Sequence, residues 1–292
     1  MPTVDAGLLV VAVLAVSASG PLIREAGAPT LAIAFWRTTL ASAVILPVAA
    51  FRNRGELRGL RREELRTAAI AGVCLALHFG AWIPSLSFTT VASSVALTCT
   101  QPVWAALMAR ARGEQIASGA WIGIAVALCG ALLLTGVDLT VSARALFGDA
   151  LALAGGVFGA AYVTVGADAR RTMSTTAYTS VCYPVAALLL LMACVTTRQH
   201  LGSYSAHTWW ILVAITVGPQ LLGHTLVNRV LRTISATTVS VAILFEIVGA
   251  TLIAWWWFSE SPSIGAYPAA VLIAIGVVLV VRASNAAALP VE

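Results

Sequence analysis

The sequence predicts an all-α integral membrane protein of ten transmembrane helices, arranged as two inverted five-helix repeats with both termini cytoplasmic. Three observations predict it. The chain contains ten apolar stretches, at about 6–26, 29–50, 67–86, 91–109, 118–136, 147–167, 176–195, 208–231, 236–258 and 264–282. Its arginines gather in alternate gaps between them, and its second half repeats the first.

A hydrocarbon core about 30 Å thick is crossed by about 20 apolar residues in helical form. Ten such crossings use most of the 292 residues, which leaves no room for a soluble catalytic domain. The composition agrees, with 60% hydrophobic and 10% charged residues, where soluble domains carry about 25% charge. The first stretch follows Asp5 with no basic residue ahead of it. It therefore lacks the positive n-region of a secretory leader and is read as the first span. After the second span, Arg58, Arg61 and Arg62 alternate with Glu56, Glu63 and Glu64, so the segment 51–66 is expected to form a surface helix on the headgroups. Pro84, Pro102, Pro184 and Pro219 are expected to interrupt spans. Gly155, Gly156 and Gly159 give the sixth span a small face for close helix contact. Trp209-Trp210 and Trp255-Trp256-Trp257 end the eighth and ninth spans on the outer side, where an aromatic belt is expected.

Orientation follows from the arginines. With a cytoplasmic N-terminus the inner gaps hold thirteen of the seventeen, and the outer gaps hold only Arg24, Arg144 and Arg198. Basic residues collect in cytoplasmic loops, so this is the favoured arrangement. The expected location is the inner (plasma) membrane, crossed many times. The net charge of +5 sits beside the spans, where anionic lipid, and not nucleic acid, is the partner. The five cysteines all fall within spans at least 12 residues apart, which excludes a CxxC motif and leaves buried free thiols. No cofactor or metal is expected.

The repeat divides the chain at 1–140 and 141–292. Residues 82–137 compare with 226–281. Each block opens its span with small hydroxyl-rich residues, Ala92-Ser93-Ser94 against Ala236-Thr237-Thr238. Each then has a polar residue well into the span (Gln101, Glu246), a glutamate at its far end (Glu114, Glu260), and a glycine sixteen residues later (Gly130, Gly276). Five spans per half is an odd number, so the second half crosses in the opposite sense. Inverted repeats of this kind mark alternating-access transporters, with the site near the midplane between the halves.

On these residues the chain resembles the drug/metabolite transporter superfamily, in its ten-helix EamA-type branch. Arg37 in FWRTTLA is similar to the arginine of the family's second helix. Gln101-Pro102 is similar to the Glu-Pro pair of the fourth, closed by Glu114, and Gly148-Asp149 opens the sixth in the family manner. Glu246 stands where the second Glu-Pro pair would be, and Glu260 closes that helix. Gln101 replaces the usual glutamate, Ile247 replaces the proline, and the first helix has Val16 and Arg24 where tryptophan and lysine are common. No proline kink is therefore expected in the ninth helix.

An ionisable group within a span costs about 2.5–3.5 kcal/mol on insertion scales and faces a cavity or a partner. Arg37, His78, His224 and Glu246 are such groups. Glu246 is the proton-coupling candidate, the alternative being a fixed bond to a neighbouring helix or a pair with Arg37. His78 and His224 occupy corresponding helices and suit proton relay or a substrate carboxylate, or else packing. Arg37 suits an anionic group, or else anchors helices. With Gln101 and the aromatic faces of Trp36, Trp82, Tyr162 and Tyr183, these residues form the candidate substrate site.

The function expected is a secondary-active or facilitative transporter, not an enzyme. It would export small amphipathic metabolites, foremost amino acids with apolar or aromatic side chains. Its energy would be a proton gradient or the substrate's own, since no Walker motif occurs. Efflux of organic cations and flipping of a lipid-linked substrate are the alternatives. An intramembrane enzyme ranks below both, there being no HExxH. Neutralising Arg58, Arg61 and Arg62 is expected to slow a lipid-linked substrate and spare a soluble one. The duplicated halves contain a whole pathway, so a monomer is the default.

Overall fold

The structure, a computed structural model, describes residues 3–89, 91–135, 142–259 and 264–287. Glu260 and the boundary at 140/141 lie outside the described residues, as do the side chains of Ala92 and Ser93. Every regular element among the described residues is helical. In chain order these are α1 (Thr3–Ser17), α2 (Ser19–Glu25), α3 (Thr30–Arg52), α4 (Arg54–Gly59), α5 (Arg62–Ser85), α6 (Val91–Thr98), α7 (Gln101–Ala111) and α8 (Ser118–Thr135). There follow α9 (Ala143–Arg170), α10 (Thr175–Thr196), α11 (Ala206–Ile215), a π-helical segment (Thr216–His224), α12 (Thr225–Val230), α13 (Ala236–Ile243), α14 (Phe245–Phe258) and α15 (Ala266–Ala287).

Eight of the helical stretches are long and apolar enough to cross a membrane. The apolar run of α8, Ser118–Leu133, is shorter, and α6 and α7 split the stretch at 91–109. Pro102 explains that split. It cannot donate to the Thr98 carbonyl, so the chain turns through Thr100, whose N–H bonds Leu97 O, and a new helix starts at Gln101. The ninth stretch breaks at the corresponding place without a proline. Leu244 N bonds Val241 O and Ile247 N bonds Leu244 O, a tight turn between α13 and α14. Gln101 and Glu246 thus both stand in the first turn of a half-helix, where a polar or acidic side chain meets the positive end of the helix dipole.

Three expectations are corrected. The segment 51–66 is not one surface helix, because α4 covers six residues and α5 already begins at Arg62. Pro184 does not interrupt α10, which runs unbroken past it. The cysteines are not uniformly buried, since Cys129 is exposed and Cys99 lines a cavity.

The packing exchanges under the repeat. α5 lies along α9, as α1 lies along the π segment and α12; α6 and α7 pack on α9, as α13 and α14 pack on α1. The pairs α3–α10 and α8–α15 map onto themselves. Glycines set the closest of these approaches. A Cβ on Gly276 would lie 2.5 Å from the Gly123 carbonyl oxygen, and one on Gly130 would lie 2.7 Å from that of Ala269. The register that pairs Gly130 with Gly276 also pairs Gly123 with Ala269, so these are one contact seen twice. Gly276→Ala is expected to force α8 and α15 apart and to cost about 1–3 kcal/mol. An unchanged midpoint of thermal or detergent unfolding would show that the pair separates freely.

Two further bonds share the symmetry. Asp5 Oδ2 accepts from Thr233 Oγ1 at 2.6 Å, and Asp149 Oδ1 accepts from Thr89 Oγ1 at 2.7 Å. Each fastens the opening helix of one repeat to the turn before the broken helix of the other. The short α4 is fastened to the start of α10, where Ser174 N donates to Glu56 Oε1 at 2.6 Å. Desolvation pushes the Glu56 carboxyl up, but the bonds from Ser174 and Asn53 outweigh it and hold it below its ordinary range. Its contribution is complete above the unfolded value of 4.5 and is lost as pH falls through the lower folded value.

Candidate functional site

These contacts sort the centre of the molecule into two bodies. One comprises α1, α2, the π segment and α12–α14; the other comprises α5–α7 and α9, and α13 joins the two by packing on α7 and α9. Between them lies a cavity of about 610 Å³, within the range of small-molecule sites. Apart from Thr30 at the start of α3, its walls come from these two bodies and the turn after α5. It runs inward from the helix ends at Arg24, Ser87 and Phe258, where the Arg24 guanidinium lies 4.6 Å over the Phe258 ring.

Six of the nine candidate residues meet on its wall: His78, Trp82, Gln101, Tyr162, His224 and Glu246. His78 Nδ1 lies 2.8 Å from the Gly155 carbonyl oxygen. A carbonyl only accepts, so Nδ1 carries the proton and neutral His78 keeps Nε2 as a free acceptor. Its ring stacks on Trp82 at 6.0 Å and 10°. Gly159 makes room for this corner, because a Cβ there would meet Gln101 Oε1 at 2.8 Å and His78 Nδ1 at 3.0 Å. Glu246 reaches the cavity from α14 and, among the described residues, forms no ion pair.

The other three candidates lie off the wall. Trp36 donates Nε1–H to Leu201 O at 3.0 Å and packs edge-on against Trp209. Tyr183 is buried against Thr225 Oγ1 at 3.0 Å. Arg37 is fully buried and does not pair with Glu246: Nε donates to Gln220 Oε1 at 2.9 Å and Nη1 to Ser19 Oγ at 3.3 Å. Trp210 and Trp256 point outward, 72% and 83% exposed, as belt residues would.

A second, separate opening of about 240 Å³ lies at the opposite ends of the helices, between Ala109, Thr164 and Asp168 on one body and Thr233 and Ser235 on the other. Arg112 Nη1 bonds Asp168 Oδ2 there at 2.5 Å, a half-exposed pair of small energetic weight. Between the two openings the bodies touch. Gln101 Nε2 donates to Ser240 Oγ at 3.2 Å, and the Asn228 amide faces the Tyr162 hydroxyl, with Nδ2 donating at 2.7 Å. Arg170 Nε donates to the Asn228 carbonyl at 2.9 Å. The cleft is thus open at one end and closed at the other by a few polar bonds around Asn228.

The residues missed by the sequence reading are Ser19, Gln220, Asn228 and Ser240. Gln220 and Asn228 are amides inside an apolar stretch, and the rule that picked out Gln101 would have found them. Among the described residues, no three His, Cys, Asp or Glu side chains come together as a metal set.

A model described as the EamA-like transporter family matches the chain twice, over residues 6–136 and 146–282. A solved structure titled "Crystal structure of protein" superimposes with a TM-score of 0.80, covering 99% of this chain and 100% of its own at 18% identity. At that identity the likeness is of fold alone. No curated protein matches the chain.

Proposed function

The chain belongs to the EamA-like transporter family of the drug/metabolite transporter superfamily, and from that premise we propose that it exports small amphipathic metabolites by alternating access. Amino acids with apolar or aromatic side chains are the foremost class. The observation that carries the reading is a cleft between two bodies, open at one end and closed at the other, with Glu246 on its wall in no ion pair among the described residues. In this proposal ten helices cross the plasma membrane as inverted repeats with both termini inside, and the open end is the outer one.

Trp82 and Tyr162 present aromatic faces, while His78, Gln101 and His224 present polar edges to the solute; Trp36, Arg37 and Tyr183 support them from behind. Glu246 exchanges solute for a proton, or the solute's own gradient suffices. An acidic group among aromatic walls also favours organic cations as a second reading. The test is a mass-spectrometric profile of the medium of overproducing cells against an empty vector. Apolar amino acids enriched by the protein support the first reading and cationic solutes the second. No enrichment, with the protein confirmed in the membrane, overturns export.

A further inference from the structure

Arg37 is a permanent cation whose hydrogen-bond partners, Gln220 and Ser19, are both neutral. Besides Gln220 and Ser19, its guanidinium lies 4.1 Å over the Phe79 ring. Its Nη2 is buried without an acceptor, as is Nε2 of Gln220, and Nδ1 of His224 in the same π segment is also unpartnered. The groups are close together, for Gln220 bonds Arg37 directly and the His224 ring sits edge-on to Phe79 at 5.2 Å. Leaving a buried donor unmade costs about 1–3 kcal/mol, and more for a charged one. Such a group in a native fold therefore calls for a ligand or another explanation. An acidic residue at position 220 would have satisfied Arg37; the chain has an amide there.

The cluster adjoins the cavity. Ser19, which holds Arg37 Nη1, and His224 are both wall residues, so the guanidinium sits one side chain behind the wall. Glu246, on the same cavity, is not within ion-pairing distance of it among the described residues, although it is the nearest acidic influence on it. We infer that Arg37, with Ser19 and His224 at the wall, forms an anion subsite that takes the carboxylate of the solute, leaving its ammonium group to Glu246. Ser19 has its own O–H to donate while its oxygen accepts from Arg37, and the Arg37 Nη2 group is without an acceptor. A carboxyl on the wall and a guanidinium one side chain behind it, not bonded to each other, are the complement of a zwitterion.

The source of the carboxylate rests on the amino-acid reading above; the anion chemistry rests on Arg37 alone. The test uses the full chain in nanodiscs and four probes: phenylalanine, phenylalanine amide, phenethylamine and sodium chloride against isosmotic sucrose. Phenylalanine is expected to bind at least about tenfold more tightly than either carboxylate-free amine, a charge-assisted contact's worth. Gln220→Glu, which gives Arg37 a built-in carboxylate, is expected to bring that ratio close to one, with a fold at least as resistant to heat as the wild type. Equal binding of all three organic probes by the wild type overturns the subsite, and so does a ratio that survives Gln220→Glu. If none of the three binds to folded protein, the amino-acid reading fails and the chloride arm decides. Stabilisation by chloride in the wild type and not in Gln220→Glu keeps the anion subsite with a free halide as its ligand. Its absence in both removes the subsite as well.

Discussion

Glu246→Gln is expected to abolish uphill transport while leaving the protein folded. One pH unit across the membrane is worth 1.36 kcal/mol per proton, so a one-proton exchanger reconstituted in vesicles accumulates its solute about tenfold at equilibrium. The amide retains the shape and one oxygen of Glu246 but cannot carry a proton, and the accumulation ratio should fall to one. Exchange of labelled for unlabelled solute should persist, though at a higher half-saturating concentration, because the amide keeps an oxygen for the solute's ammonium and the gate is unaltered. A variant that accumulates solute like the wild type would remove Glu246 from the coupling. A wild type that only equilibrates its solute would assign the energy to the solute's own gradient. The geometry favours the first outcome: Glu246 is at the first turn of α14, faces the cavity, and is not held by Arg37.

The apolar periodicity was sufficient to predict where the helices lie, because a twenty-residue run free of charge has few other uses. Their interruptions were harder to read. Pro102 announces the break before α7, but the matching break at Leu244 has no proline to mark it. Pro184 sits within an intact α10, so proline alone does not mark a break. The π segment around Gly218-Pro219 is also invisible to a hydropathy count. Charged residues inside spans led directly to Glu246, His78 and His224, since their cost demands a reason. Which of them pair was not legible. Charge alone matches Arg37 with Glu246, yet the fold brings Gln220 and Ser19 to it, contacts 183 and 18 residues away in sequence. Trp36, chosen as a flat surface for solute, instead binds the 201 carbonyl, a loop contact that periodicity cannot foresee.

Asn228→Ala is expected to loosen the closed end of the cleft without unfolding the chain. The side chain bonds Tyr162 at 2.7 Å and approaches Tyr183 at 3.4 Å, whereas Arg170 uses the backbone carbonyl and keeps its acceptor in the variant. Truncation leaves the Tyr162 hydroxyl buried without its partner, at a cost of about 1–3 kcal/mol. That cost belongs to the closed arrangement, because opening the cleft lets water reach the same hydroxyl. The balance between the two arrangements therefore moves by about 5- to 150-fold toward the one open at the Arg112–Asp168 end. Thr164 reports on it, being buried yet on the wall of the smaller opening. In a background freed of the native cysteines, Thr164→Cys should react with an impermeant maleimide more than fivefold faster once Asn228→Ala is added. Equal rates, with the heat resistance of the fold lowered, would make Asn228 an ordinary packing residue and place the gate at Gln101 and Ser240.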